Sequence, residues 1–454
     1  MELLYNIKDK PPLGKLLLAA LQQLLAVIAG TIVAPLIVGH GMSQSAALLG
    51  AGVGTLVYLL ITRFRSPVFL GSSFSFIGSM SAAFAGAASM AIGYLGLILG
   101  AAMAGLLYVI LGLVVKFAGT KWIDKIMPPV IIGPVVAVIG LSLAPNAINN
   151  ITKGSVLDST GNSIANPYLC LLCGVIALFT MVIVSVYAKR TLKLVPFIIG
   201  IVTGYVVATI FTVIGNATGT DALKIIDFSI FKHIEWVPKF TFVEAIKGCQ
   251  DFESSGQFFK YLLLVFVSYV PVSFACFAEH IADHKNLSFI TNHDLLVDPG
   301  LHRTLMGDGT GSMVGAFFGG CPNTTYGESI SCTILSKNAS TWTIFAGSLM
   351  AIALSFVGPI MTFFASVPTC IIGGLSIALY GYIAASGFQM LKKVDLSDQR
   401  NIFVIASILV VGIGGMIIQI YNFVFSPVAC SLVFGIIIYQ LVNIKPRKKN
   451  IEEQ

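Results

Sequence analysis

Two glutamates, Glu279 and Glu328, lie in or beside strongly apolar stretches of a chain whose other charges avoid such stretches. An ionisable residue within a membrane-spanning segment usually marks a functional site, because its burial in lipid is costly. A carboxylate can accept hydrogen bonds from a ligand, and burial beside a second carboxylate increases its affinity for a proton. The sequence therefore predicts that this pair binds a polar solute and that at least one member takes up and releases a proton.

A second cluster surrounds the first of these acids. His280 and His284 are one helical turn apart and alternate with Glu279 and Asp283, which resembles a set of metal ligands. The acids would occupy a different helix face from the histidines, and no second ligand cluster is apparent, so a Zn-type site is not favoured. A membrane-embedded enzyme is the least favoured function, because no complete nucleophile and base set accompanies the cluster. We predict no enzyme activity, no metal and no cofactor; the proton is the predicted coupling ion, with His284 as a further proton-coupling candidate.

The composition indicates what must position these residues. Hydrophobic residues make up 56% of the chain and charged residues only 10%, and the mean hydropathy is +0.90. Several apolar runs approach the roughly 20 residues that a helix needs to cross a bilayer. These values exclude an ordinary soluble domain and predict an all-α polytopic membrane protein whose partner is the lipid bilayer.

Hydropathy and small-residue breaks together predict fourteen membrane spans. Most Lys and Arg residues then fall in alternate loops, which places both termini in the cytoplasm of a multi-pass protein of the cell (plasma or inner) membrane. This topology explains the net charge of +7, so no nucleic-acid partner is required. The predicted span centres are Ala26, Val57, Phe76, Ala102, Val135, Ala177, Val206, Phe266, Val314, Ile330, Met350, Ile377, Val410 and Gly435.

An internal repeat suggests how the spans are arranged. Pro128–Gly133 (PPVIIG) recurs as Pro368–Gly373 (PTCIIG), at the starts of predicted spans five and twelve. An offset of seven spans predicts two halves of inverted topology, a common plan of secondary transporters. Corresponding third and tenth spans are interrupted by Gly, Ser and Thr at Gly71–Phe76 and Asn323–Ser329. We expect both spans to be short and partly extended, and paired broken spans point to a substrate site.

Several motifs, in order, resemble the nucleobase–ascorbate transporter (nucleobase:cation symporter-2) family, and within it the bacterial uracil permeases. The similarity extends from about Leu16 to Leu441. Two departures from the family pattern are notable: Ser329 and Ser331 replace its Asn and Gly, and Asp283 stands where uracil permeases usually have Gly. The motifs are Gln22–Ala26, Leu70–Phe74, Ala278–His284, Asp298–Arg303 and Pro322–Glu328.

The resemblance implies a core domain of spans 1–4 and 8–11 and a gate domain of spans 5–7 and 12–14. It also implies a homodimer through the gate domains and an elevator-like or rocking movement. The corresponding boundaries are 1–126 and 259–360 for the two core halves, 127–215 and 361–443 for the gate halves, 216–258 for an extracellular loop and 444–454 for a cytoplasmic tail.

The chemistry of the predicted site suits a neutral planar heterocycle. Uracil offers two N–H donors, two carbonyl acceptors and a flat π face, so its site needs acceptors, donors and an aromatic wall. We predict proton-coupled uptake of uracil, with xanthine or another purine as the alternative. An anion transporter or channel is less favoured, because the site is acidic. The predicted substrate-binding residues are Glu279, Glu328, Phe74, Tyr326, Gly327 and Gly30, and those for proton coupling are Glu279, His284 and Glu328.

Overall fold

The structure is a computed structural model that describes residues 3–119, 128–158, 160, 162–189, 192, 195–420, 423–425 and 427–443. The predicted cytoplasmic tail and the predicted core–gate boundary at 126 and 127 lie outside these residues. The helices are α1 Leu13–Val38, α2 Gln44–Ile61, α3 Ile77–Ala85, α4 Met90–Ala118, α5 Pro129–Ser142, α6 Ala144–Asn150, α7 Pro167–Tyr187, α8 Pro196–Thr218, α9 Thr241–Gly248, α10 Ser255–Thr291, α11 Leu301–Gly319, α12 Gly327–Ser336, α13 Thr341–Ser355, α14 Gly358–Ala365, α15 Thr369–Met390, α16 Gln399–Ile413 and α17 Pro427–Val442.

The prediction of a helical, multi-pass membrane protein is confirmed. Within the described ranges, eight helices are long and apolar enough to cross a membrane, or nine if α13 and α14, bent by 80°, form one broken span. The fourteen predicted centres all lie in helices, with Phe76 in the 3-10 turn Phe74–Phe76 before α3. Six centres are in helices that do not pass that test alone, so fourteen spans in inverted halves stay a prediction.

The two interrupted segments form extended backbone, as predicted, and they pair with each other. Strand β1, Leu70–Ser72, runs antiparallel to β2, Asn323–Thr325, with Gly71 opposite Thr324. The Ser73 N–H continues the ribbon by donating to the carbonyl of Pro322 at 2.8 Å. All six strand residues are buried. Pairing satisfies backbone groups that lipid could not hydrogen-bond, which explains how irregular backbone persists here.

Helices α2 and α11 pack closely through the stripe Gly307, Gly311, Gly315 and Gly319. A Cβ atom at Gly311 would lie 2.9 Å from the carbonyl oxygen of Gly54, and one at Gly307 would lie 2.9 Å from the Tyr58 ring. Side chains larger than hydrogen would therefore force the two helices apart. The glycine stripe is therefore a packing surface, and Asp308, on the same helix, lies deep in the interior.

The two PPVIIG-like repeats begin helices in the same way. Pro128 precedes α5 and Pro368 precedes α15, each in the extended conformation that proline allows before a helix. The two helices then pack against each other, because a Cβ at Gly133 would lie 2.8 Å from the Gly387 carbonyl oxygen. The repeated segments thus have the same local structure, and the helices that they begin pack against each other.

A salt bridge joins the end of α2 to the segment before α11. Arg65 Nη1 lies 2.6 Å from Asp298 Oδ1, and His293 Nε2 lies 3.4 Å from Asp298 Oδ2. The Arg65 hydrogen bond lowers the pKa of Asp298 from its ordinary value of 3.8. A carboxyl with a lowered folded-state pKa stabilises the fold above its unfolded pKa, and this contribution disappears as the pH falls through the folded pKa.

We therefore expect Asp298→Asn to lower the apparent melting temperature near neutral pH, with the difference from wild type beginning to shrink as the pH falls below about 4, the pKa of an unfolded Asp. Because both partners are more than a third exposed, the loss should be under about 1 kcal/mol. Melting curves of both proteins between pH 7 and pH 3.5 measure it. A difference that grows on acidification would contradict this interpretation of the ion pair.

Candidate functional site

Two short helices begin at the ends of the β1–β2 ribbon. The 3-10 turn Phe74–Phe76 leads into α3, and α12 begins at Gly327 directly after Tyr326, which has extended backbone angles. The first turn of a helix leaves N–H groups without intrahelical acceptors. Both starts therefore bring backbone N–H donors close to the space beside the ribbon.

A cavity of about 570 Å³ occupies this space. Its walls come from the ribbon, from α1, α10 and α12, and from α5, α7, α8 and α15, which belong to the predicted gate domain. The cavity brings together five of the predicted site residues, Phe74, Glu279, Tyr326, Gly327 and Glu328. The other lining residues are Ala26, Ser73, Ser75, Val136, Ser185, Val195, Pro196, Phe197, Asn286, Thr324, Thr325, Ser331, Leu379, Tyr382, Ile383, Ala385, Ser386 and Gln389.

The two glutamates face this cavity from different helices. Glu279 is half-buried in the second half of α10, and Glu328 is exposed to the cavity from the first turn of α12. The charge of Glu279 interacts with those of Asp283, Glu328 and Asp308. An acid at a helix N-terminus is favoured by the helix dipole. Two carboxyl groups beside the backbone N–H groups of a helix start can bind a solute that both donates and accepts hydrogen bonds.

Tyr326 is held in place by the backbone around it. Its hydroxyl donates to the Ser72 carbonyl at 2.9 Å, and its side chain is only 4% exposed. A Cβ at Gly30 would lie 2.5 Å from that hydroxyl, and one at Gly71 would lie 2.6 Å from the ring. Gly30 therefore packs behind Tyr326 and is not among the cavity residues, so substrate contact by Gly30 stays a prediction.

Phe74 supplies the other aromatic ring of the cavity. Its centroid lies 6.1 Å from that of Tyr326, and the two planes are inclined by 41°. Phe74 is half-buried, while Tyr326 is fully buried and tied to the ribbon. Phe74 is thus the ring with a face available to a flat ligand. Tyr326 instead packs against the ribbon and holds it in place.

His280 and His284 lie on the face of α10 that turns away from the cavity. His284 Nδ1 donates to the His280 carbonyl at 2.9 Å, and its Nε2 lies 2.8 Å from the Tyr58 hydroxyl. The two imidazole rings stack with centroids 4.1 Å apart, and both are fully buried. His284 has no cavity surface, so a role in proton coupling would have to act through its neighbours and stays a prediction.

His280 forms a tight pair with Asp308 of α11. His280 Nε2 lies 3.0 Å from the Thr304 hydroxyl, which also lies 3.1 Å from the Leu301 carbonyl oxygen. His280 Nδ1 lies 2.7 Å from Asp308 Oδ2, too close for two lone pairs without a proton between them. His280 and Asp308 therefore share one proton in this contact.

The residues that depart from the family motif have different positions. Ser329 turns away from the cavity, where its hydroxyl donates to Gln23 Oε1 at 3.0 Å and accepts from the Phe69 N–H. Ser331 lines the cavity. Asp283 is half-buried and accepts a 2.8 Å hydrogen bond from the hydroxyl of Thr325, at the end of β2. Asp283 thus adds an acid beside the ribbon, one helical turn from Glu279.

Sequence reasoning missed several residues of this site. Phe197, Tyr382 and Gln389 reach the cavity from α8 and α15, but in sequence they look like ordinary residues of apolar helices. Tyr58 contacts His284 from 226 residues away, and a single sequence carries no signal of that contact. Asp308 was noticeable as an acid within a glycine-rich helix, and its pairing with His280 depends on the packing of α10 on α11.

Loss of the Asp283 charge should change the pH dependence of transport. A carboxylate near Glu279 and Glu328 disfavours their ionised forms, so Asp283→Asn should let them ionise at lower pH. We expect the alkaline limit of solute uptake to move to lower pH by about one unit. Thr325→Val removes the hydrogen bond that favours the ionised form of Asp283, so it should move the profile in the same direction but by less. An unshifted pH profile in Asp283→Asn, or a larger shift in Thr325→Val than in Asp283→Asn, would contradict the electrostatic role.

Comparison with known families and proteins identifies relatives over nearly the whole chain. The sequence profile of the Permease family matches residues 14–420. A uracil permease of Bacillus caldolyticus is 34% identical over 446 residues, which are 97% of this chain and 95% of the relative. The uracil permease of Escherichia coli K12 is 30% identical over 97% of this chain and 94% of the relative. These relatives are named permeases, which are transport proteins rather than enzymes.

Solved structures resemble the fold at low sequence identity. The transmembrane domain of the cyanobacterial bicarbonate transporter BicA aligns with a TM-score of 0.60 at 14% identity, over 95% of this chain and 99% of that domain. The murine Slc26a9 anion transporter in its inward-facing state aligns with a TM-score of 0.63 at 11% identity, over 96% of this chain and 69% of that protein. At these identities the likeness concerns the fold alone.

Proposed function

Because this chain belongs to the Permease family, we propose that it is a secondary transporter that imports a nucleobase, uracil in preference to xanthine, together with a proton. The observation that carries this proposal is the meeting of Glu279, Glu328 and Phe74 in one cavity. The uracil permeases among its relatives support the choice of substrate. The proton is the coupling ion, and no other cofactor is proposed.

The cavity offers each group that a pyrimidine requires. The carboxyl groups of Glu279 and Glu328 accept from the ring N–H groups, and the backbone N–H groups at Gly327 and Glu328 donate to the ring carbonyls. Phe74 covers one face of the ring. Anion transporters share the fold, but an anionic substrate is disfavoured here because two carboxyl groups face the cavity.

Proton coupling follows from the same acids. If one glutamate must be protonated for substrate binding, substrate and proton bind and leave together. A proton moving down the membrane potential gains roughly 2.3 kcal/mol per 100 mV, which corresponds to about 50-fold accumulation of substrate. Glu279 is the preferred carrier, because its charge interacts with three neighbouring acids.

Alternating access is supported by a second cavity on the far side of Ser75. It has a volume of about 450 Å³ and is lined by α3, α5 and α10 and by the segment before α17. The first cavity lies beside Asn286 and Gln389, near loops assigned to the cytoplasm, and the second lies beside Asn146 and Pro427, near loops assigned to the outside. Ser75 lines both. We propose an inward-facing arrangement in which the core and gate domains slide or rock to exchange these openings.

The proposed topology follows from the charge pattern. Both termini are cytoplasmic, and the fourteen spans form two inverted halves in the cell membrane. As the family resemblance implies, the gate domains provide the contact of a homodimer. Protease accessibility of both termini in right-side-out and inverted vesicles tests the orientation. Cleavage from the outer side of intact cells would contradict it.

Competition binding tests the proposed substrate. Purified protein in nanodiscs should bind radiolabelled uracil, and unlabelled uracil should displace it at lower concentration than unlabelled xanthine. Bicarbonate serves as the anionic competitor and should not displace uracil. Stronger displacement by xanthine would identify a purine rather than uracil as the preferred substrate. Displacement by bicarbonate alone would contradict a nucleobase site.

A further inference from the structure

A small cavity lies behind the ribbon, apart from the two large ones. Part of its wall is apolar, with Phe76 and Ala104, and its polar lining residues are Tyr108 of α4, Asp308 and Ser312 of α11, and Asn323 and Thr324 of β2. Its volume of about 10 Å³ is close to the roughly 10–15 Å³ that one water molecule needs. The cavity can therefore hold one occupant of about that size.

Three residues of its wall each have a buried oxygen atom without a hydrogen-bond partner among the described residues. They are Asp308 Oδ1, Asn323 Oδ1 and the Tyr108 hydroxyl oxygen. All three side chains are at least nine-tenths buried, with exposed fractions of 1%, 1% and 4% respectively. A buried polar atom left without a partner is costly, so three of them around one space indicate a ligand that pairs with all three.

The donor and acceptor count selects the ligand. The carboxyl and amide oxygens are acceptors, because the Asp308 proton lies toward His280 and the Asn323 amide nitrogen already donates to the Gly50 carbonyl at 3.0 Å. The Tyr108 hydroxyl is a donor available to the cavity. A ligand with two donors and one acceptor satisfies all three groups.

We propose that one water molecule binds in this cavity, donating to Asp308 Oδ1 and Asn323 Oδ1 and accepting from Tyr108. A sodium ion is the alternative occupant, but it would exchange its hydration shell for only three oxygen ligands in a mostly apolar cavity. Burying an ion with so few ligands is strongly unfavourable.

The bound water would tie the ribbon to two long helices. It connects Asn323 of β2 with α4 and α11, and the next residue, Thr324, lines the large cavity. It also extends the hydrogen-bonded chain from His280 through Asp308 to the ribbon. The site thus anchors the strand that carries the proposed substrate site, whether or not the proposed substrate is correct.

Two tyrosines allow a matched test. Tyr269 resembles Tyr108 in that its hydroxyl is buried and has no partner among the described residues, but Tyr269 does not line this cavity. Removing an unpaired hydroxyl is neutral or stabilising, whereas removing one that donates to a bound water is destabilising. In nanodiscs, Tyr108→Phe should lower the apparent Tm by about 2 °C, and Tyr269→Phe should leave it unchanged or raise it.

A Tm for Tyr108→Phe that is unchanged or raised, as for Tyr269→Phe, would overturn the proposal. Replacing sodium chloride with choline chloride provides the second measurement, and no change in wild-type Tm is expected. A lower Tm in choline would instead indicate a bound cation and overturn the water assignment. A cryo-EM map at about 2 Å resolution should show one density peak within hydrogen-bond distance of the three oxygens, and a map without it would also overturn the proposal.

Discussion

Glu328→Gln is expected to reduce uracil uptake roughly ten- to hundredfold, because a hydrogen bond to a charged group contributes about 1.5–3 kcal/mol. The substitution keeps the size of the side chain and one carbonyl oxygen, but it removes the negative charge and one acceptor from the cavity. The amide of Gln also presents donors to the N–H groups of the substrate. The initial rate of labelled uracil uptake into proteoliposomes measures this loss.

Two further variants show whether the loss is specific to the cavity. Glu279→Gln should cause a loss of similar size and should also uncouple any remaining uptake from the pH gradient. Glu244→Gln makes the same chemical change at an exposed acid of α9 that pairs with Lys247, and it should leave uptake unchanged. Wild-type rates in both Glu279→Gln and Glu328→Gln would show that the substrate binds elsewhere.

Gly30→Ala should displace Tyr326 and so disturb the site, although Gly30 does not line the cavity. The added methyl group would lie 2.5 Å from the Tyr326 hydroxyl and 2.8 Å from its ring. Tyr326 cannot retreat without losing its hydrogen bond to Ser72 and its packing on Gly71. Overpacking of this kind costs about 1–3 kcal/mol, and we expect a lower Tm together with a large loss of uracil binding.

Gly78→Ala is the control for this experiment. Gly78 lies in α3, close to the same ribbon, and a Cβ there would have no neighbour within 4 Å. It should therefore keep both the Tm and the binding of wild type. Equal behaviour of Gly30→Ala and wild type would mean that Tyr326 is not fixed by this contact.

The residues that sequence reasoning placed well are those whose type conflicts with their surroundings. Glu279 and Glu328 are charges in apolar stretches, and the structure brings both to one cavity. The interrupted segments around Gly71 and Asn323 contain residues that weaken a lipid-facing helix, and they form the β1–β2 ribbon. A charge, or a backbone segment that cannot form a helix, is costly to bury in lipid. Such residues can therefore be recognised as exceptional from the local sequence alone.

The features that the sequence could not supply depend on how distant segments pack. The orientation of α10 turns Glu279 toward the cavity and His284 toward Tyr58, and hydropathy alone does not determine this rotation. Tyr326 looks like a ligand-stacking residue in sequence, yet Gly30 and Gly71 enclose it. Such contacts join residues far apart in the chain, so they require the assembled fold.

Uptake of labelled uracil into proteoliposomes, with and without an imposed pH gradient, tests proton-coupled uracil import. We expect accumulation when the outside is acidic, collapse of that accumulation by a protonophore, and loss of it in Glu279→Gln and Glu328→Gln. Uracil uptake that reaches the same level without a gradient would contradict proton coupling. Absence of uracil uptake under every gradient, in protein that remains folded, would contradict the proposed transport function itself.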